Sequence, residues 1–166
     1  MRPLSIVNFN DLWTLRNSLD LFSKLEPTLP ERETGVRSVM NKILVVDDDK
    51  ESRDLICEVL EENGYAPRGV ANGLDARDVL SRDVEYRIII ADLQMPQESG
   101  FELLRNLREQ NSKHEIILMS SFVSGAEKIA AKALGAHALL EKPFQLTELL
   151  QTVAELAAQN TMGISS

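Results

Sequence analysis

The chain has 166 residues, enough for one ordinary domain with extra segments but tight for two. Its 43% hydrophobic and 27% charged composition suits a packed core and excludes a disordered tail protein, and no apolar run approaches bilayer-spanning length. The formal net charge of -8 repels phosphate backbones, which argues against direct nucleic-acid binding by this chain and favours sites that gather cations.

The opening residues are interrupted by Asn8, Asn10 and Asp11 before a signal-type apolar block develops, so a cytoplasmic location is expected. Leu12, Leu15, Leu19 and Phe22 recur at helical spacing, which predicts a short amphipathic helix over about 11–25. Pro27 and Pro30 end it, and the polar stretch after them reads as a linker. Residues 1–39 carry as many basic as acidic side chains, so the negative excess belongs to the remainder.

At Met40 the pattern changes to a run that would itself open a compact domain, with Met40 as an alternative initiator. From there short apolar runs alternate with amphipathic segments. Strands are predicted at 43–46, 65–70, 87–91, 116–119 and 138–140, each followed by a helix, at 51–63, 74–81, 101–110, 126–134 and 146–158. Ile88, Ile89 and Ile90 are apolar on both faces of their strand, as in a parallel sheet buried between helix layers. Gly64 and Gly135 stand where the first and fourth helices should stop, as left-handed caps. Cys57 excludes an internal disulfide by being alone, and its apolar setting marks it as a core-side thiol.

In such a sheet the working groups collect at the carboxyl ends of the strands. Those ends carry Asp47, Asp48 and Asp49, then Asp92, then Ser120 and Ser121, then Lys142. Strand phase favours Ser120 over Ser121, and Asp49 reads as the cap of the first helix. Crowded carboxylates call for a hard divalent cation such as Mg2+, which takes oxygen ligands and keeps several waters. On this reading Asp92 attacks phosphorus in line, while Lys142 and Ser120 meet the arriving phosphoryl group in contacts that exist only after transfer. His114 and His137 lack partners for a zinc or phosphohistidine site, and Met95 and Met119 read as core.

The same residues resemble the receiver domains of response regulators. Val45-Val46-Asp47-Asp48 is similar to their acidic pair, the stretch from Ile88 through Asp92 to Gly100 to their phosphoacceptor segment, Met119-Ser120 to their switch-hydroxyl strand, and Lys142-Pro143-Phe144 to their lysine before a cis proline. The resemblance spans about Met40 to Ala158 and implies a three-layer αβα domain over 40–160, with a tail at 161–166. Its five-stranded parallel sheet would have the flavodoxin-like order 2-1-3-4-5, with five helices on its two faces. It implies phosphorylation on Asp92, with Lys142 and Ser120 assisting and Mg2+ held by Asp47, Asp48, Asp92 and the backbone carbonyl of Gln94. It further implies a sensor histidine kinase or phosphohistidine carrier as donor. The face of the fourth helix, fifth strand and fifth helix would act on a downstream protein target.

One departure concerns Leu139, three residues before Lys142, where the family often carries an aromatic side chain that turns inward on activation. Gln94 and Phe122, two positions beyond Asp92 and Ser120, flank the path of a hydrolytic water in such proteins. Because the sequence ends eight residues past Ala158, the output is expected to be another protein. Two rival readings use part of the same pattern. A haloacid-dehalogenase-like phosphohydrolase would use Asp47 and Asp49 but lacks an acidic pair after the lysine, and a receiver-like module that takes no phosphate would not need the full residue set. A flavin or nicotinamide carrier lacks its glycine-rich turn after Val46.

Overall fold

A computed structural model of the protein describes residues 41–162. The helix expected over about 11–25, the linker after it and Met40 lie outside the described residues. All five predicted strand–helix rounds are present: β1 Lys42–Val46, α1 Lys50–Glu62, β2 Ala66–Val70, α2 Gly73–Arg82, β3 Tyr86–Asp92, α3 Gly100–Glu109, β4 Glu115–Ser120, α4 Gly125–Ala133, β5 Ala138–Glu141 and α5 Leu146–Met162. Most ends move by a residue or two, but α5 continues four residues beyond the expected Ala158 and takes in the start of the expected tail. No helix among the described residues is long and apolar enough to cross a membrane.

The strands form one parallel sheet in the order β2-β1-β3-β4-β5. The central strands are apolar on both faces because each face meets a helix layer. Ile43, Val45, Ile88, Ile90, Ile117 and Met119 pack with Ile56 and Leu60 of α1 and Leu149, Val153 and Leu156 of α5. The alternate positions, among them Leu44, Val46, Ile89 and Leu118, pack with Ala76 and Val79 of α2, Leu103, Leu104 and Leu107 of α3, and Ala131 of α4. The strand period of two thus divides one apolar sequence between two cores. At the edge, β2 has no fully buried residue, and Pro67, which offers no N–H to a ladder, is tolerated there.

Local chemistry sets the helix starts. The Asp49 side chain accepts the Ser52 amide hydrogen bond at 2.9 Å, as expected of a cap. Ser99 with Glu102, and Ser124 with Glu127, form reciprocal capping boxes at α3 and α4. Gly64 and Gly135 take φ of +81° and +77°, the left-handed conformation expected of them after α1 and α4.

The edge of the sheet away from the strands' carboxyl ends is tied near β4 and β5 by Arg108. Arg108, in the last turn of α3, donates to the carbonyls of Ser112, His114 and Gly135, each at 2.9 Å, joining the turns before β4 and β5. A lysine has neither the planar fork nor enough donors in fixed directions to reproduce this clamp. Arg108→Ala should therefore lower stability by about 1–3 kcal/mol, with little recovery in Arg108→Lys, as measured by urea unfolding.

Candidate functional site

The strand register brings the expected groups to one edge. Val46 of β1 is paired with Ala91 of β3, so the next residues, Asp47 and Asp92, fall beside each other. Asp92 is paired with Met119 of β4, which puts Ser120 one step beyond, and the Lys142 amide donates to the Ser120 carbonyl at 2.7 Å. Lys142 follows β5, on the far side of β4 from Asp92, and its four-carbon stem spans that distance. Its ammonium donates to Asp47 Oδ2 at 2.9 Å and also to Asp92 Oδ2. Lys142-Pro143 is a cis peptide bond.

Both carboxylates are withdrawn from water, Asp47 being 0% and Asp92 6% exposed. Each is held by backbone donors: the Asp49 amide reaches Asp47 Oδ1 at 2.9 Å, and the Gln94 amide reaches Asp92 Oδ1 at 2.8 Å. The Ser52 hydroxyl adds a 2.8 Å hydrogen bond to Asp47 Oδ2. Burial pulls the Lys142 pKa down, but hydrogen bonds and charge attraction from Asp92 and Asp47 outweigh it, and the net direction is upward. Gly100 allows α3 to start against the site, since a Cβ there would lie 2.4 Å from the Asp92 carbonyl oxygen.

The remaining expected residues lie nearer the surface or in the adjoining turns. Asp48 is exposed, and among the described residues no three acidic, histidine or cysteine side chains gather as a ready metal cage. Asp47 and Asp92 do converge on one cation, the ammonium of Lys142, so two anionic oxygens already face a common positive charge. Two carboxylates, with further positions left to water and backbone carbonyls, suit Mg2+, which keeps much of its hydration. The donor set therefore fits the ion, with Asp47 and Asp92 the side chains brought together for it.

Lys142 has partners before any phosphoryl group arrives. Its ammonium already pairs with Asp92 and Asp47, because two buried carboxylates side by side require a counter-charge at rest. Ser120 is 0% exposed, and its hydroxyl donates to the Phe122 carbonyl at 2.6 Å while accepting the Phe122 amide at 3.3 Å. Gln94 is exposed, as is the Phe122 ring. Leu139 is half-buried and packs with the core beneath α2, α3 and α4.

Several residues match their structural readings. Met119 lies in the core under α1 and α5, Met95 packs against the core on the other face, and Cys57 is half-buried against the Met119 core, its thiol pushed up to about 11 by burial and then by Glu61 and Asp54. His114 contacts Ser112 through Nδ1, and burial, with Arg108 and Arg87 nearby, lowers its pKa. Two residues of α1 went unread in the sequence: Ser52 on Asp47, and Arg53, whose guanidinium donates to the Asp47 carbonyl at 2.5 Å. A signal existed for Ser52. It heads the buried stripe continued by Ile56 and Leu60 at helical spacing, where a hydroxyl is out of place without a polar partner.

Fold and site together define a flavodoxin-like α/β domain whose working groups are paired acids and a lysine, with no glycine-rich phosphate loop after β1. The family model described as the response regulator receiver domain matches residues 43–154. Among curated proteins, "Response regulator MprA" of Mycolicibacterium vanbaalenii is 33% identical over 120 residues, covering 72% of this chain and 52% of that protein. Its counterpart in Mycobacterium avium is 34% identical over 115 residues, so the chain spans about half the length of the curated relatives it matches. Among solved structures, the receiver domain of the Francisella response regulator 1452 is 33% identical with a TM-score of 0.69, covering 72% of this chain and 98% of that one. The Vibrio cholerae chemotaxis protein CheY4 is 31% identical with a TM-score of 0.65, covering 70% and 98%.

The chain belongs to the response regulator receiver family, the signalling switches of two-component systems. That assignment displaces the haloacid-dehalogenase reading.

Removing the ammonium tests the electrostatics of the site. Lys142→Met should leave two buried carboxylates without their counter-charge and cost about 1–3 kcal/mol at neutral pH. In the parent chain the raised Lys142 pKa keeps the pairing intact below the ordinary lysine range and loses it only as pH rises through the folded value. Thermal melts of both chains across pH measure the difference.

Proposed function

We propose that this receiver accepts a phosphoryl group on Asp92 from a phosphohistidine donor, either a sensor histidine kinase or a phosphohistidine carrier, in the cytoplasm. The observation that carries the reading is the Lys142 ammonium shared between the Asp47 and Asp92 carboxylates at the carboxyl edge of the sheet. An Asp92 oxygen attacks phosphorus, the P–N bond to the donor imidazole breaks, and its electron pair returns to the ring nitrogen. Mg2+, held by Asp47, Asp48, Asp92 and the Gln94 carbonyl, would neutralise charge on the phosphoryl oxygens during this transfer.

The chain's own groups then redistribute. Forming the acyl phosphate converts one Asp92 oxygen from a charged acceptor to an ester-like one, and the Lys142 ammonium follows the negative charge onto the phosphoryl group. Ser120 can donate to that group only by giving up the Phe122 carbonyl. This exchange loosens the turn leading into α4 and biases the domain toward a second arrangement. Supporting a readout through α4, β5 and α5 to a downstream protein target are the sequence proximity of Phe122 to α4 and the packing of Leu139 of β5 with Ala131 of α4 in one core.

Incubated with magnesium and acetyl phosphate, the chain should gain one acid-stable, base-labile phosphoryl group, read by intact mass. Asp92→Asn and chelation of magnesium should each abolish the gain. Labelling that persists in Asp92→Asn would sink the assignment.

A further inference from the structure

Asp47 presents a problem that the proposed transfer creates. It is fully buried, and the cation that balances it at rest is the one that must leave for the phosphoryl group. Mg2+ would then supply the balancing charge, but a ligating carboxylate that loses a hydrogen-bonding partner also loses part of what fixes its orientation. The donors that stay on Asp47 when Lys142 moves therefore decide how well its oxygens are aimed at the ion.

Two donors remain. One is the Asp49 amide on Oδ1, which comes with the turn into α1. The other is the Ser52 hydroxyl, 2.8 Å from Oδ2, the same oxygen that Lys142 engages. Ser52 lies in the first turn of α1, where side chains tilt toward the helix start and hence toward the end of β1. A serine at this point of a helix ordinarily turns outward to solvent or back to a carbonyl. Here it is turned inward and is only 9% exposed, at the head of the buried row that Ile56 and Leu60 continue. An aliphatic side chain would satisfy that packing position, so the hydroxyl is explained by its partner carboxylate and by little else nearby.

We infer that Ser52 is a positioning residue that holds the Asp47 carboxylate in its ligating orientation for Mg2+. This rests on the proposed phosphoryl transfer at Asp92 and names a residue that reading does not require. Donors behind a metal ligand fix its orientation, and losing one typically weakens metal binding about 10–100-fold.

The test is a titration of the full chain with magnesium chloride, followed through the amide NMR shifts of residues 47–49 and 92–94 under conditions where each variant is folded. Ser52→Ala should bind magnesium about tenfold more weakly, and Ser52→Thr, which restores the hydroxyl, should return to within about threefold of the parent. If Ser52→Ala does not fold, Ser52→Cys, a near-isostere with a much weaker donor, takes its place and should show the same loss. A global loss of stability alone would not change the affinity of the folded state. Unchanged magnesium affinity in Ser52→Ala or Ser52→Cys, with the parent binding magnesium and labelling on Asp92, overturns this inference and leaves the proposed function standing. A Ser52→Thr variant as weak as Ser52→Ala overturns it as well. A parent chain that neither binds magnesium nor labels overturns both.

Discussion

Two carboxylates buried side by side repel each other, and the Lys142 ammonium set between Asp47 and Asp92 is what makes that arrangement tolerable. The three charges sum to one negative, so the site at rest is balanced enough to fold and still attractive to a cation. Its assembly depends on the sheet being parallel with β1 and β3 adjacent, because only then do the ends of those strands emerge at the same edge with their side chains level. It also depends on the reach of a lysine across the end of β4. Arginine would bring a wide planar head, and a shorter cation would not span the strand between.

Around this centre the supporting contacts are short in sequence and local in cause. The amides of Asp49 and Gln94 each turn back two residues to the carboxylate before them, so that each acid is oriented by the turn it begins. Close approach of α3 requires Gly100 under the Asp92 carbonyl, and the α3 cap at Ser99 starts the helix at that point. At the opposite edge, Arg108 fixes the turns before β4 and β5 to the end of α3. Among the described residues the turn after β4 has no such clamp, and there the Ser120 hydroxyl and the Phe122 backbone hold each other. A hydroxyl that can rotate is a weaker tie than a guanidinium on three carbonyls, which makes this turn the place where a new charge on Asp92 would be felt.

A flavodoxin-like sheet hosts many chemistries, so the fold alone did not separate a signalling switch from a flavin carrier or a phosphohydrolase. The separation came from the loops: three strand ends with acids or a hydroxyl, a lysine after the fifth, and no glycine-rich phosphate cradle. The absence of a ring at Leu139 changes the packing under α4 but not the site, since Leu139 lies with the α2, α3 and α4 core while the lysine side chain leaves β5 for the carboxyl edge.

Strand and helix identities were legible from the sequence because two periodicities, the caps Asp49, Gly64 and Gly135, and the Asp and Lys residues at strand ends are local properties of the chain. The family resemblance supplied the strand order, and the register then decided which of those residues meet. Tertiary structure alone showed that Lys142 is already paired at rest, that Asp48 is exposed while Asp47 is enclosed, and that the hydroxyls of Ser52 and Ser120 are committed to Asp47 and Phe122. These facts follow from burial and from competition among donors for a few oxygens. A sequence records which donors and acceptors exist, and only the packed chain determines which of them lose water and must therefore choose each other.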